Sequence, residues 1–305
     1  MVFGRLIMRH AKPWRDALAW FRRPRRTRVV LLGVGSTVLA ATPSMALDAH
    51  AAIPLAAPCP KPLYLTFDTG HMGVAPLIAD VLKRQQVRVT FFAANEPTQE
   101  GDGSLGEHWA PWWRERALEG HDFATHTFDH VYWRADLPAA NGQEIRFQMK
   151  PSAGPKAGQS EVYNASDYCE ALARSNRRLE AITGVPALPL FRAPGGKTSP
   201  ALLAAAQQCP TPQGQGYRHV DWAPAGFLGD ELPSGPHPNA LLLKKALQNI
   251  RQGDILMAHL GIWSRQDPWA PADLEPLIVG LKAKGFCFDT LRHHPLYRPH
   301  LANMP

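Results

Sequence analysis

Two histidines four residues apart, His126 and His130 in the run HTFDH, can present both imidazoles to one divalent cation from a helix or a tight turn. A cation held in this way lowers the pKa of its water toward about 7 and polarises an amide carbonyl. Four further ionisable residues, Asp68, Arg192, Asp221 and His259, share a placement with His126: each directly follows a run that reads as a β-strand. In barrels and open parallel sheets the C-terminal strand ends lie on one face, where active sites assemble. Five such residues are therefore expected at one mouth. The pair His293-His294 lacks this placement and is read as exposed or packing.

The elements that would carry these residues alternate. Strands are expected at Leu63–Phe67, Val87–Ala93, His121–Thr125, Leu188–Phe191, Tyr217–Val220, Asp254–Ala258 and Phe286–Thr290. Between them, helices are expected at Val74–Gln85, Pro111–Glu119, Tyr168–Thr183, Pro200–Gln208, Asn239–Arg251 and Pro271–Lys284. Residues 134–165 are rich in Pro, Gly and polar types and read as a long insertion, not a second domain. Such alternation, without internal repeats, argues for an α/β fold built on a parallel sheet or barrel.

The 305 residues, 45% of them hydrophobic, are enough to bury a full core, which excludes a disordered chain, collagen and a small disulfide-only scaffold. The formal charge of +7 is concentrated at one end. Residues 1–46 hold nine basic residues and one acid, leaving 24 basic and 25 acidic residues from Leu47 onward, a net of −1. Nothing in that remainder calls for nucleic acid or another polyanion.

The basic stretch leads into the apolar run Val29–Ala41 and then Pro43-Ser44-Met45-Ala46, the pattern of a secretory signal cut after Ala46. Thirteen residues rise only about 20 Å as a helix, short of a ~30 Å hydrocarbon core, so no stable membrane span is expected once the signal is removed. Initiation at Met8 and twin-arginine export through Arg25-Arg26 stay open. The expected organisation is a signal over 1–46, a linker over 47–62, one domain over 63–292 and a tail over 293–305, in a periplasmic or secreted protein.

Export gives the four cysteines a meaning, because none is close enough to another for a CxxC metal site. Of three connectivities, Cys59–Cys287 with Cys169–Cys209 is preferred: the first ties the chain's start to its last strand, the second brackets one strand. Four buried thiols are the alternative.

An ordered series of segments, LYLTFDTG (63–70), VTFF (89–92), EGHDFATHTFDH (119–130), FRAPGG (191–196), HVDW (219–222), GDILMAH (253–259) and LKAKGF (281–286), resembles the polysaccharide deacetylases of carbohydrate esterase family 4, which share the nodulation-protein-B homology domain. The resemblance spans residues 60–292. It implies a single-domain distorted (β/α) barrel with fewer than eight regular strands and one divalent metal, most often Zn2+, with Co2+, Ni2+ or Mn2+ as alternatives. By position, it implies Asp68 as catalytic base, His126 and His130 as metal ligands, and Arg192 as the residue orienting Asp68. It also implies His259 as general acid, tuned by Asp221. Hydrolysis would release acetate from an N-acetylated sugar, with a backbone N–H near Gly195 assisting the oxyanion.

Three departures from the family pattern stand out. Thr69 occupies the place of a second Asp, the family's third metal ligand, and a neutral hydroxyl is a poor substitute for a carboxylate. The tryptophan expected a few residues beyond Asp221 is replaced by Trp222 directly after it. Gly195 stands where an aromatic residue is common and is expected to open that wall of the groove. Among the tryptophans, Trp222 and Trp263 are expected to stack on sugar rings, while Trp109, Trp112, Trp113 and Trp269 suit the core. The resulting expectation is an exported metal-dependent N-deacetylase of a cell-envelope polysaccharide of the peptidoglycan or poly-N-acetylglucosamine type. The alternatives are a silent glycan-binding protein and a metal-dependent hydrolase of a non-sugar amide. Oligomeric state is not legible.

Overall fold

A computed structural model describes residues 59–138, 144–265, 267–270 and 272–304. The expected signal and most of the linker lie outside these residues. Their centre is β1 (Pro62–Asp68), buried from Leu63 to Asp68 and therefore apolar on both faces, as a strand inside a parallel sheet must be. β2 (Thr90–Ala93) pairs with Thr66–Asp68 on β1, and β9 (Ile255–His259) pairs with Tyr64–Asp68, both in parallel. The sheet continues from β2 through β3 (Asp122–Thr125) and β7 (Leu190–Phe191) to β8 (Arg218–His219). The last strand, β10 (Cys287–Phe288), pairs with the start of β1. All of these pairings are parallel, and the seven strands curl into a half-barrel, as the resemblance implied.

Helices α1 (Ala75–Arg84), α2 (Ala110–Leu118), α3 (Ala165–Thr183), α4 (Pro200–Gln208), α5 (Asn239–Asn249) and α6 (Leu274–Ala283) provide the crossovers and cover. Sequence signals set their ends. α3 begins with a reciprocal capping box between Asn164 and Asp167 and ends at Gly184 in the left-handed conformation. α4 is capped by Ser199, whose hydroxyl accepts from the Leu202 N–H. The main core lies between sheet and helices, where Trp113 and Trp269 are buried against Phe91 or near α6; Trp109 and Trp112 pack in the same cluster.

The stretch read as a long insertion over 134–165 carries strands that the sequence reading did not assign. Val131–Leu137 (β4), Arg146–Pro151 (β5) and Glu161–Tyr163 (β6) form a three-stranded antiparallel sheet. In β5, Phe147 and Met149 alternate inward between Arg146, Gln148 and Lys150, and they bury against Tyr168, Leu172 and Phe191. Alternation over six residues was the available signal, and the surrounding Gly, Pro and Lys residues obscured it. The C-terminal segment is packed as well: Tyr297 and Leu301 are buried with Tyr64, and the His294 ring meets Tyr64 edge-on at 4.5 Å. His293 is exposed and pairs with Asp289 at 2.8 Å.

Cys59 is bonded to Cys287 and Cys169 to Cys209, the preferred pairing, with Cα separations of 5.7 and 5.2 Å. The first clamps the entry to β1 onto β10, and the second joins α3 to the end of α4. Each is expected to contribute about 2–4 kcal/mol, mainly by restricting the unfolded chain. Thermal melts with and without reductant should therefore differ by several degrees; coincident melts would show that neither bond contributes.

Candidate active site

The parallel register sets the site. Asp68, the last residue of β1, lies opposite His259, the last residue of β9. His126 and Arg192 follow the neighbouring strand ends of β3 and β7. Gly70 permits the turn beyond Asp68, because a Cβ there would stand 2.0 Å from the Gly261 carbonyl oxygen, which accepts the His71 N–H at 3.1 Å.

Asp68 and Arg192 are joined by a 2.7 Å bond from Nη1 to Oδ1, with the guanidinium wholly buried. The same Nη1 donates to Thr66 Oγ1 at 2.9 Å, Nε donates to the Val220 carbonyl at 3.3 Å, and the guanidinium lies over the Phe92 ring at 4.3 Å. Burial favours a protonated Asp68, but Arg192, helped by His126 and His259, outweighs it and holds the carboxyl below its ordinary range.

His126 and His130 are brought together by a turn. Thr127 and His130 have φ of 61° and 48°, a left-handed conformation that non-glycine residues adopt under constraint. The Thr127 hydroxyl accepts the Val131 N–H at 2.7 Å, and the two imidazole centroids stand 4.8 Å apart. His126 Nδ1 lies 2.8 Å from the Arg192 carbonyl, which can only accept. The proton is therefore on Nδ1, and the Nε2 lone pair faces Asp68 Oδ2 at 3.6 Å. Burial pushes the His126 pKa down to about 4, so the ring is neutral at neutral pH. His130 Nδ1 is bonded to Ser152 Oγ at 2.6 Å, which the inserted sheet delivers at the end of β5.

The residues present fit a divalent cation. His126 Nε2 and Asp68 Oδ2, both electron-rich, face each other, and the Glu96 carboxylate stands 4.0 Å from His130 Nε2, an arrangement that positive charge relieves. Both imidazoles are steered from their far nitrogens, as metal-binding histidines usually are. Among the described residues no three such side chains already stand at binding distance from one point.

One expected partnership is corrected. Asp230, not Asp221, holds His259: both Asp230 oxygens lie 3.1 Å from His259 Nδ1, and Oδ2 accepts the His259 backbone N–H at 2.7 Å. Asp221 is exposed and caps its own loop by accepting the Trp222 N–H at 2.9 Å. Asp230 follows no strand, so strand-end placement could not reveal it; only the return of the 229–232 loop beside β9 does. Burial opposes a charged His259, but the Asp230 carboxylate, with Asp68 and Glu231 beyond it, pushes its pKa up to about 10.

Asp68, His126, His130 and His259 line a groove of about 540 Å3, whose lining does not include Arg192, Asp221 or Asp230. Trp222 and Trp263 line it, with Trp263 64% exposed. Gly195 does not open the wall, because the space a Cβ would take is met by the Tyr132 ring at 3.0 Å. Tyr132 from the inserted sheet thus packs against this glycine and shares the groove lining with it. Gly196 similarly leaves room for the Trp222 ring, 2.7 Å from where its Cβ would be. Glu96, Tyr132, Ser152, Asp230 and Glu231 were not singled out from the sequence.

The family described as Polysaccharide deacetylase matches residues 56–214. This chain belongs to the polysaccharide deacetylase family. It is 25% identical over 241 residues to a chitooligosaccharide deacetylase of Azorhizobium caulinodans, covering 75% of this chain and 92% of that protein. Its fold is shared with a family 4 acetyl xylan esterase from Clostridium thermocellum solved with a cobalt ion, at a TM-score of 0.54 and 19% identity over 80% of this chain and 93% of that one. It is also shared with a family 4 pseudoenzyme from Bacillus anthracis, at a TM-score of 0.53 and 16% identity over 77% and 65% of the two chains. The polysaccharide deacetylase fold thus carries active and silent members, and this chain's own side chains must decide between them.

Replacing Asp230 by Asn keeps an acceptor for the His259 N–H and removes the charge. The His259 pKa is expected to fall from about 10, since burial would then be opposed only by the Asp68 and Glu231 carboxylates. The raised value stabilises the fold fully below the unfolded pKa of about 6.5 and is lost as pH rises through about 10. Nuclear magnetic resonance titration of the His259 ring checks this, and an equal pKa in both proteins would remove Asp230 as the cause.

Proposed function

We propose that this protein is an exported, metal-dependent N-deacetylase of a cell-envelope polysaccharide of the peptidoglycan or poly-N-acetylglucosamine type. The observation that supports this most is the pairing of Asp68 with His259 at one register of adjacent strands, beside two imidazoles steered toward the same groove. A binding protein needs neither a carboxylate held ionised by a buried arginine nor a histidine held protonated by a buried aspartate.

His126 and His130 would hold the ion, and Zn2+ suits two imidazole nitrogens best, with Co2+, Ni2+ or Mn2+ as substitutes. When bound, the ion supplies Lewis acidity toward the acetamido carbonyl and its attacking water. Asp68 takes a proton from the water as its oxygen bonds to the acetyl carbon, while Arg192 keeps that carboxylate ionised and oriented. Gly195 lines the groove, and its N–H is the proposed backbone donor to the oxyanion. An amine leaves poorly unless protonated, so His259, charged through its Asp230 pairing, gives its proton to the sugar nitrogen as the C–N bond breaks. The products are acetate and a free amino sugar. Trp222 and Trp263 offer ring faces for pyranose stacking, and an open groove suits a polymer.

Residues 1–46 are proposed as a removed signal, residues 63–292 as the catalytic domain, and the periplasm or the exterior as the compartment. The two disulfides support an oxidising compartment, and among the described residues no helix is long and apolar enough to cross a membrane.

Acetate release from N-acetylglucosamine polymers and peptidoglycan should disappear on chelation and return with zinc. Asp68→Asn should abolish it. His259→Ala should lower it by about 10²–10⁴-fold while bound zinc is retained. Full activity in Asp68→Asn, or no acetate from any polymer by folded zinc-loaded protein, would refute the proposal; the second result would favour a glycan-binding role.

A further inference from the structure

Thr69 is buried, and its hydroxyl is already committed: it accepts the Ala94 N–H at 3.0 Å, while its own N–H bonds to the Phe92 carbonyl at 3.1 Å. This side chain closes the end of β2 and is not part of the groove lining. Two residues beyond Ala94, however, the same loop places Glu96 in that lining.

The backbone of Glu96 is pinned on both sides. Its N–H donates to Ser104 Oγ at 2.9 Å, and its carbonyl accepts the Ser104 N–H at 3.0 Å; Ser104 Oγ also donates to the Ala94 carbonyl at 2.5 Å. Asn95 is tied to the Phe128 carbonyl by its N–H and to the Leu105 N–H by its side chain. Against this rigid support the Glu96 carboxylate is poorly satisfied. Oε2 is shut off from water with no hydrogen-bond partner, and Oε1 lies 4.0 Å from His130 Nε2, its ion-pair contact among the described residues. A shielded carboxylate without donors is unfavourable unless a positive charge joins it. That Nε2 is the ring nitrogen left free by the bond between His130 Nδ1 and Ser152.

We propose that Glu96 supplies the carboxylate ligand that Thr69 does not, so that a divalent cation in the groove is held by His126, His130 and Glu96. The inference rests on the metal-dependent reading above and specifies which residues of this chain carry it out. Two imidazoles and one carboxylate give the donor set of many catalytic zinc sites, and they leave Asp68 free to accept a proton. The anionic ligand would come from the loop after β2 instead of from the residue after Asp68.

The test is zinc affinity of the purified apoprotein, measured by competition with a chromophoric chelator for the wild type, Glu96→Gln and His126→Ala. Glu96→Gln is isosteric, leaves every backbone bond in place, and should melt with the apo wild type. It is expected to weaken zinc binding by about 10²-fold or more. A crystal structure of the zinc-loaded wild type should place a Glu96 oxygen about 2.0–2.2 Å from the ion, a readout independent of any variant. Equal zinc affinity in wild type and Glu96→Gln, with loss in His126→Ala, would overturn the role of Glu96 and leave the deacetylase reading standing. A zinc-loaded structure without a Glu96–metal bond would do the same. Wild type that binds no divalent ion would remove both.

Discussion

Asp68 and Arg192 form an ion pair almost wholly shielded from water, and the geometry of the sheet and of the site depends on it. Either charge left alone there would be strongly destabilising, because its hydration is lost with nothing in return. The pair joins β1 to the end of β7, and β2 and β3 lie between them. Three flat strand spacings would put these residues roughly 14 Å apart, beyond the reach of an arginine. The bond is therefore compatible only with a curled sheet, and the curl is what turns the other strand ends toward a common groove.

The same economy of position runs through the neighbours. The Arg192 carbonyl fixes the tautomer of His126, its guanidinium fixes the charge of Asp68, and Thr66 bridges from that guanidinium to the Leu256 carbonyl on β9. On the opposite side, His259 is held by Asp230 through both its ring and its backbone. A carboxylate kept ionised and an imidazole kept protonated on adjacent strands would form the two ends of the proposed proton-transfer path, and opposing environments set them apart. The inserted β4–β6 sheet completes the groove with Ser152 behind His130 and Tyr132 above Gly195.

Much of this was legible in the chain itself. The alternation of apolar strands and amphipathic helices, the polar residue closing five of those strands and the HxxxH spacing are all local patterns, and the preferred disulfide pairing follows from where the cysteines fall among those elements. Asp68, His126, His130, Arg192 and His259 emerge from them, because a continuously buried run ending at a polar residue marks where a parallel strand leaves the core. The four core tryptophans and the two at the groove also follow from their distance to those edges.

What the sequence could not determine is which loop residue reaches which strand end. Asp221 sits where local pattern expects a partner for His259, yet its side chain turns back on its own backbone; Asp230 arrives from a loop without periodicity. Glu96 is likewise one carboxylate among 26 acidic residues until the loop after β2 folds it beside His130. Gly195 reads as empty space until Tyr132 fills it. Local sequence determines an element's period and its ends, since these follow from backbone geometry and burial of one face. Contacts between loops are decided only in the tertiary structure, where chain segments distant in sequence compete for one small volume and burial of unpaired charge selects the arrangement that survives.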